Sequence, residues 1–264
     1  MSALKFVTFN IRNTWKYDGI NNFLHRVGSI LYKLDVEQPD VVCFQEVFPE
    51  TAEYLTRHLP EYHILYRGRD KDMGSEGLAL AIRRGTMELM STDCFWLSPT
   101  PYTPGSRFAE QSDCPRICQT AMLRRKSDKM TFWVYNNHLD HISDQARILG
   151  IQKVLERVSA DQKKFAFPVF ICGDFNARAD SETIRYCENY ADFPIVELNK
   201  DCGLTCHDYG RMKMGGPYDH IDYIYVDKNT AAKSYTVTVW TDYKDGIWLS
   251  DHYPICVEVE MTAK

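Results

Sequence analysis

An α/β fold with two packed β-sheets and helices on their outer faces is predicted for this 264-residue sequence from three observations. About ten short segments have the alternating or continuous apolar pattern of β-strands. A few segments between them have the apolar spacing of amphipathic helices. The strands follow one another sometimes directly and sometimes through a helix, which favours two packed sheets over a single, purely parallel one.

The predicted elements cover most of the chain. The strands are, in order, 4–9, 40–44, 62–66, 78–83, 117–123, 131–137, 168–172, 222–226, 235–240 and 254–260. The helices are 20–34, 49–59, a segment around 148–158, and one that runs from 180 or 181 to 190. Two long segments without clear periodicity, 98–116 and 199–219, are predicted loops, and loops of this length in a compact domain are often functional.

Length and composition predict one soluble domain over residues 1–264. The chain is 44% hydrophobic and 25% charged, and no apolar run approaches the roughly 20 residues of a membrane span. Its N-terminus, MSALKFVTFNIRN, has the pattern of a first strand and not of a signal peptide. The odd number of cysteines, nine, favours a reducing compartment. We therefore expect a cytoplasmic monomer, although the mature form of a secreted protein would have the same pattern.

The charge distribution argues against a surface that binds nucleic acid non-specifically. The net charge is −5, and the Lys and Arg residues are scattered without a long basic track. A nucleic-acid substrate stays possible, because bound cations can bridge a protein to phosphate.

Polar side chains follow or precede many of the predicted strands. They are Asn10, Gln45, Glu46, His138, Asp174, Asn176, Asp222, Asp251 and His252. Taken singly, an Asp or Asn after a strand is more often a turn residue than a ligand. If the strand ends converge on one rim, however, the carboxylates repel one another unless a cation compensates them. Oxygen ligands suit Mg²⁺, with Mn²⁺ or Ca²⁺ as alternatives.

The segment FICGDFNAR shows how one strand can present two such groups. Alternation past Gly173 would place Asp174 and Asn176 on one side of the chain and Phe175 on the other.

Seven segments in order resemble one known superfamily. They are TFNIRN, PDVVCFQEV, SEGLALAIRR, NNHLDH, FICGDFNAR, DHIDYIYV and LSDHYPI. They resemble the endonuclease/exonuclease/phosphatase superfamily, which includes deoxyribonucleases, repair endonucleases, inositol polyphosphate 5-phosphatases, sphingomyelinases and deadenylases. The resemblance implies a four-layer α/β sandwich with two mixed sheets, an active site at one rim, and a divalent-metal-dependent phosphoesterase.

The resemblance also implies roles on the metal and water side of the site. Glu46 corresponds to the principal metal ligand, with Asn10 beside it and Asp251 as a second carboxylate. Asp174 corresponds to the residue that positions or deprotonates the attacking water, and Asn176 to one that hydrogen-bonds a phosphate oxygen.

On the phosphate side, His252 corresponds to a base or a stabiliser of transition-state charge, oriented by Asp222. His138 corresponds to a second histidine that faces the phosphate or the leaving group. Glu76 resembles the acid that pairs with His138, and Arg116 resembles an arginine beside the phosphate.

Other interpretations stay open at this point. The chain could be a DNA or RNA nuclease of the same superfamily, or a binding protein that keeps the fold without activity. A zinc site is a further alternative, formed by Cys202, Cys206 and His207 with Cys114 and Cys118, although the usual C-x2-C spacing is missing. The two long loops carry candidate substrate contacts, namely Tyr102, Arg107, Phe108, His207, Tyr209, Arg211 and Lys213.

Overall fold

A computed structural model describes residues 3–261 and shows four layers in the order helix, sheet, sheet, helix. The predicted α/β sandwich of two mixed sheets is thereby confirmed. The strands are β1 (Leu4–Asn10), β2 (Val41–Val47), β3 (Tyr62–Gly68), β4 (Gly77–Arg83), β5 (Met87–Trp96), β6 (Ile117–Arg125), β7 (Thr131–His138), β8 (Val169–Asp174), β9 (Ile195–Glu197), β10 (Asp222–Asp227), β11 (Tyr235–Val239), β12 (Tyr243–Lys244), β13 (Ile247–Trp248) and β14 (Ile255–Val259). The helices are α1 (Phe23–Glu37), α2 (Pro49–His58), α3 (Asp144–Lys164), α4 (Glu182–Glu188) and α5 (Lys228–Ala231).

The strand order brings the two central parallel pairs to equivalent positions. The first sheet has the order β11-β14-β1-β2-β4-β3, and the second has the order β5-β6-β7-β8-β10-β9. The pairs β1–β2 and β7–β8 are parallel, whereas β14, β4, β6 and β10 pair antiparallel with them. Because parallel strands end at the same edge of a sheet, the polar residues that follow these four strands collect at one rim.

Apolar side chains fill the spaces between all four layers. Between the sheets, Phe6 stacks on Phe170 with ring centroids 4.8 Å apart. Helix α1 packs on the outer face of the first sheet through Val27 and Ile30, and α3 packs on the second through Val154. Both sheets are therefore buried on two faces, which explains why their central strands are almost continuously apolar.

One buried polar contact joins the two sheets near the rim. The Gln45 side chain donates from Nε2 to Asn136 Oδ1 at 2.8 Å, and Asn136 Nδ2 donates to the Phe44 carbonyl at 3.0 Å. Hydrogen bonds of this kind require a defined position of one sheet on the other. They hold the rim end of β2 against the rim end of β7.

The sequence prediction missed one long strand. All ten predicted strands are present, but β5 was not predicted because most of its central side chains are exposed and polar alternation is absent. It is an edge strand, and within residues 3–261 its one partner strand is β6. Helix α1 begins at Phe23, where Asn22 Oδ1 accepts a hydrogen bond from the Leu24 N–H, and not at residue 20. Among residues 3–261, no helix combines the length and apolar composition needed to cross a membrane.

Candidate active site

Three adjacent strands of the second sheet place three predicted site residues side by side. His138 at the end of β7 is paired with Asp174 at the end of β8, and Asp174 lies opposite Asp222 at the start of β10. All three side chains are buried. Across the sandwich, Asn10 at the end of β1 donates from Nδ2 to Asp174 Oδ2 at 3.0 Å. The fold therefore brings the ends of both sheets to one carboxylate.

Asp174 is the centre of this arrangement. Its Oδ2 lies 3.5 Å from His138 Nε2 and 3.9 Å from His252 Nε2. Burial, followed by the neighbouring Asp222 carboxylate, raises the pKa of Asp174 to about 7. A carboxyl group with this pKa can accept a proton near neutral pH, which is the property required of a general base.

The backbone around Asp174 is unusual in two places. Gly173 has φ of +138°, and a Cβ there would lie 1.8 Å from the Asn137 carbonyl oxygen, so only glycine permits this approach of β8 to β7. Strand β8 ends at Asp174 and Asn176 has φ of 49°, so the extended geometry expected past Gly173 does not continue to Asn176. The Asn176 N–H instead donates to Asp174 Oδ1 at 2.8 Å, while its side chain donates to the Leu139 carbonyl at 3.1 Å.

His252 and Asp222 form the predicted pair. His252 Nδ1 lies 2.8 Å from Asp222 Oδ2, and both side chains are buried. Burial opposes a charge on the ring, but Asp222 outweighs it and raises the pKa of His252 well above its ordinary value. The Asp222 N–H in turn donates to Thr205 Oγ1 at 3.1 Å, which ties the strand to the loop that precedes it.

Glu46 projects from an irregularity in β2. The pairing of β2 with β4 shifts register between Phe44 and Val47, and Glu46 has φ of 59°. A bulge of this kind redirects a side chain at the end of a strand. Asn10 Nδ2 donates to Glu46 Oε1 at 3.1 Å, and Asn13 donates to Oε2 from its side chain at 2.6 Å and from its backbone at 3.0 Å.

Asp251 lies near Glu46 on the same side of the site. Its Oδ1 accepts a hydrogen bond from Ser250 at 3.0 Å, and Arg12 Nη1 lies 3.2 Å from its Oδ2. Burial, with a further contribution from Glu46, raises the pKa of Asp251 against the opposing effects of His252 and Arg12. Burial also acts to raise the pKa of Glu46, but Arg12 and the Asn13 N–H lower it overall.

The sequence model of the endonuclease/exonuclease/phosphatase family matches residues 7–252, which include all the rim residues described above. The chain belongs to this family. No curated protein matches the sequence.

Solved structures of similar chains agree with the family fold over nearly the full length. An endonuclease/exonuclease/phosphatase from Bacteroides vulgatus has 24% identity and a TM-score of 0.87, covering 99% of this chain and 100% of its own. A functionally unknown conserved protein from Enterococcus faecalis has 28% identity and a TM-score of 0.82, covering 97% and 99%. A mannosyl-6-phosphatase from Bacteroides thetaiotaomicron has 22% identity and a TM-score of 0.84, covering 98% and 100%.

Glu76 has a different partner in the structure from the histidine that the family resemblance implied. Its carboxylate is paired with Arg69 and not with His138. The two residues flank the turn that joins β3 to β4, and the Arg69 N–H also donates to the Glu76 carbonyl at 3.1 Å, so the turn itself brings them together. Burial, followed by Glu46, raises the pKa of Glu76.

Arg116 contacts His141, a histidine that the sequence interpretation did not single out. Arg116 is buried, and its Nη2 lies 3.0 Å from His141 Nδ1. Burial, and then the positive charges of Arg116 and Arg69, lower the pKa of His138 well below its ordinary value. Burial and these positive charges therefore favour the neutral form of the His138 ring.

The family motif TFNIRN contains two further site residues that were not singled out. Asn13 donates two hydrogen bonds to Glu46, one from its backbone and one from its side chain. Arg12 forms an ion pair with Asp251 and a second one with Asp18, in which Nε lies 3.1 Å from Oδ2. Their position within three residues of Asn10 in the motif was the sequence signal that could have identified them. Their roles depend on how the chain turns after β1, which the strand pattern does not reveal.

The structure brings one possible set of metal ligands together and does not assemble the set proposed for zinc. Within residues 3–261, Asp174, Asp222 and His252 form the one group of three acidic, His or Cys residues whose ligand atoms all lie within 4.8 Å of one another. The thiols proposed for zinc do not form such a group with His207.

The candidate loop contacts mostly have partners of their own: Tyr102 bonds Arg157, Arg107 bonds Asp113, Arg211 bonds Asp208, Tyr209 bonds Asp18, and Phe108 is buried.

Proposed function

We propose that this member of the family is a divalent-metal-dependent phosphoesterase that hydrolyses a phosphodiester or phosphomonoester by in-line attack of water. The observation that carries the proposal is the convergence on Asp174 Oδ2 of Asn10, His138 and His252, from three separate strands or loops. A buried base between two imidazoles is suited to water activation beside a phosphoryl group.

The metal is assigned to Glu46 and Asp251, with Asn10 beside them. These groups offer only oxygen ligands, as Mg²⁺, Mn²⁺ and Ca²⁺ prefer. Asp251 is buried and Glu46 is half-buried, and the positive charge near them comes from Arg12 and His252. The donor set therefore fits a hard divalent cation, which would supply charge stabilisation for the phosphoryl oxygens and the leaving group when bound. We assign Asp222 and His252 to proton handling instead, because they already hydrogen-bond one another.

The remaining residues divide the work around the phosphoryl group. Asp174 accepts the proton of the attacking water, because with a pKa of about 7 a substantial part of its carboxyl group is ionised near neutral pH. His252, kept cationic by Asp222, stabilises the charge that develops on a phosphoryl oxygen. Neutral His138 offers a hydrogen bond on the other side of Asp174. Asn176 is assigned a hydrogen bond to a phosphoryl oxygen, which the second N–H of its amide can donate while the first stays on the Leu139 carbonyl.

The substrate is sought most effectively with a panel that separates ester classes. One structural relative is a mannosyl-6-phosphatase, so hexose 6-phosphates belong in the panel beside nucleotides, inositol phosphates, sphingomyelin, abasic DNA, plasmid DNA and poly(A). The absence of a long basic track favours a small or flexible ester over duplex DNA.

The experiment that tests the proposal uses two generic substrates, bis(p-nitrophenyl) phosphate and p-nitrophenyl phosphate, with Mg²⁺, Mn²⁺ or Ca²⁺. Hydrolysis of at least one, abolished by a chelator and restored by metal, is the expected result. Asp174→Asn and His252→Ala are each expected to abolish it while the circular dichroism spectrum is unchanged. Turnover near that of the wild type in either variant would contradict the assignment, and no hydrolysis of any ester in the panel would favour the inactive binding protein.

A further inference from the structure

The loop that follows β1 carries the two most exposed large apolar side chains of the described residues. Trp15 exposes 79% of its surface, and Tyr17 exposes 90%. The same loop includes Asn13, whose backbone and side chain both donate to Glu46. The exposed rings therefore belong to the rim at which the proposed active site lies.

The Trp15 ring has a fixed neighbour. It stacks on Phe48, with ring centroids 5.7 Å apart and an angle of 25° between the ring planes. Phe48 itself is buried and directly precedes α2. Thr14 Oγ1 donates to Glu50 Oε1 in the first turn of α2 at 2.9 Å, so the loop is attached to the same helix beside the ring. One face of the indole is thus covered by Phe48, while most of the side chain stays open to solvent.

Both rings of this stack lie close to the carboxylate that we assign to the metal. Trp15 follows Asn13 by two residues, and Phe48 follows Glu46 by two residues. Two residues span at most about 7 Å of backbone. The indole is therefore held beside Glu46 from two sides, by the loop after β1 and by the end of β2. A sugar or base joined to a phosphoryl group at this carboxylate is long enough to reach the indole.

An exposed indole in this position is suited to stacking. A flat ring placed on it gains dispersion contacts and removes apolar surface from water. Because Phe48 already holds the indole, little further side-chain freedom is lost when a ligand binds. Tyr32, with 71% of its surface exposed, is a comparable ring in the half of α1 that leads away from the rim. Exposure alone therefore does not distinguish Trp15, whereas its stacking on Phe48 beside Glu46 does.

We propose that Trp15 is a specificity-determining residue, on which a cyclic sugar or a base of the substrate stacks while the phosphoryl group lies at Glu46 and Asp174. The inference rests on the proposed function for the position of the phosphoryl group. It narrows the substrate class to phosphate esters that carry a flat ring, such as hexose phosphates and nucleotides, and disfavours esters of acyclic alcohols such as sphingomyelin. The C–H face of a hexose and the face of a base can both cover an indole, so the tests separate the two.

The first test measures binding without turnover, so its result is independent of the hydrolytic activity. The Asp174→Asn protein is titrated with adenosine 5′-monophosphate and with mannose 6-phosphate in the presence of Mg²⁺, and the tryptophan fluorescence is recorded. At least one ligand is expected to change the fluorescence, and the double variant with Trp15→Leu should lose that change. The responding ligand shows whether a base or a hexose stacks. A change that persists in the double variant, or no change with either ligand at millimolar concentration, would overturn the proposal.

The second test uses pairs of monoesters that differ in the ring. The pairs are glucose 6-phosphate with open-chain sorbitol 6-phosphate, and adenosine 5′-monophosphate with ribose 5-phosphate. In a pair that the wild type hydrolyses, Trp15→Leu is expected to lower kcat/KM about tenfold for the member with the stacking ring and no more than about twofold for the other. Trp15→Phe keeps an aromatic face and should restore most of the loss. Tyr32→Ala, the matched control, should leave both members unchanged.

The two tests distinguish failure of this inference from failure of the proposed function. Equal losses of kcat/KM for both members of a hydrolysed pair in Trp15→Leu would show that Trp15 does not read the ring, although the hydrolytic activity stands. If no ester of the panel is hydrolysed, the proposed function fails. In that case, or if neither pair is hydrolysed, the binding test decides the role of Trp15.

Discussion

His252 Nδ1 lies 2.8 Å from Asp222 Oδ2, and this contact directs the opposite ring nitrogen, Nε2, toward Asp174, 3.9 Å away. One carboxylate thus holds the proton on the ring while the ring faces a second carboxylate of raised pKa. The two acidic groups lie directly opposite one another on β8 and β10, so the spacing is set by strand pairing.

Asp222→Asn is expected to lower kcat for bis(p-nitrophenyl) phosphate about a hundredfold or more, with a smaller effect on KM. The amide keeps the size of the side chain, but it cannot hold His252 in the charged form that stabilises the transition state. The measurement is a steady-state comparison at several pH values. The matched control is Asp227→Asn, which changes an Asp at the other end of the same strand, and a loss of kcat of the same size in both variants would show that the defect is structural.

Asp174→Asn is expected to stabilise the metal-free protein above pH 7. In the folded protein Asp174 keeps its proton up to a pKa of about 7, whereas the ordinary value is 3.8, so its ionisation costs stability as the pH rises between these values. Asparagine has no such cost. The difference in the free energy of unfolding between variant and wild type should therefore grow from pH 4 to pH 7 and then level off.

This pH dependence is measured by urea denaturation in the presence of a chelator, so that metal binding does not contribute. Parallel stability curves for the two proteins across the range would contradict the raised pKa of Asp174. Asp180→Asn, at an exposed position in the segment before α4, is the control and should show no growing difference.

Glu46→Gln is expected to abolish the rise in Tm that Mg²⁺ or Mn²⁺ gives the wild-type protein. A ligand that binds only the folded state stabilises it by about 2.7 kcal/mol at a concentration one hundred times Kd. Glutamine removes the negative charge that the cation requires but keeps contacts with Asn13. The control is Glu50→Gln, a nearby exposed residue that bonds Thr14, which should keep the full metal-dependent shift. A normal shift in Glu46→Gln would move the metal to the group formed by Asp174, Asp222 and His252.

Much of this site was predictable because its residues lie at strand ends. Asp174 and His138 were identified from their place after long apolar runs, and the strand pairing places them side by side. Such pairing follows from local patterns of hydrophobicity, which a sequence displays directly. The assignment of the strand ends to one rim needed only the further assumption that the strands run together.

The contacts that the sequence did not reveal are those made by turns. Arg69 forms an ion pair with Glu76 because the turn between β3 and β4 brings the two residues together. Asn176 donates its backbone N–H to Asp174 because the backbone of Asn176 is in the left-handed conformation. Asn13 reaches Glu46 only after the chain has turned at the end of β1. A turn changes side-chain direction within two or three residues, so alternation along a strand carries no information about it. The edge strand β5 was missed for another reason, since its exposed side chains lack an apolar pattern.

Asn136→Ala is expected to reduce the free energy of unfolding by about 2–3 kcal/mol. The substitution removes one of the three acceptors of the buried Gln45 Nε2 and the side-chain donor to the buried Phe44 carbonyl. Because this contact holds the two sheets together near the rim, a loss of activity should accompany the loss of stability even though Asn136 contacts none of the proposed catalytic groups. The measurement is urea denaturation with kcat determined well below the transition, and Asn229→Ala at an exposed position is the control. Stability within about 0.5 kcal/mol of the wild type would show that the buried contact does not fix the sheets.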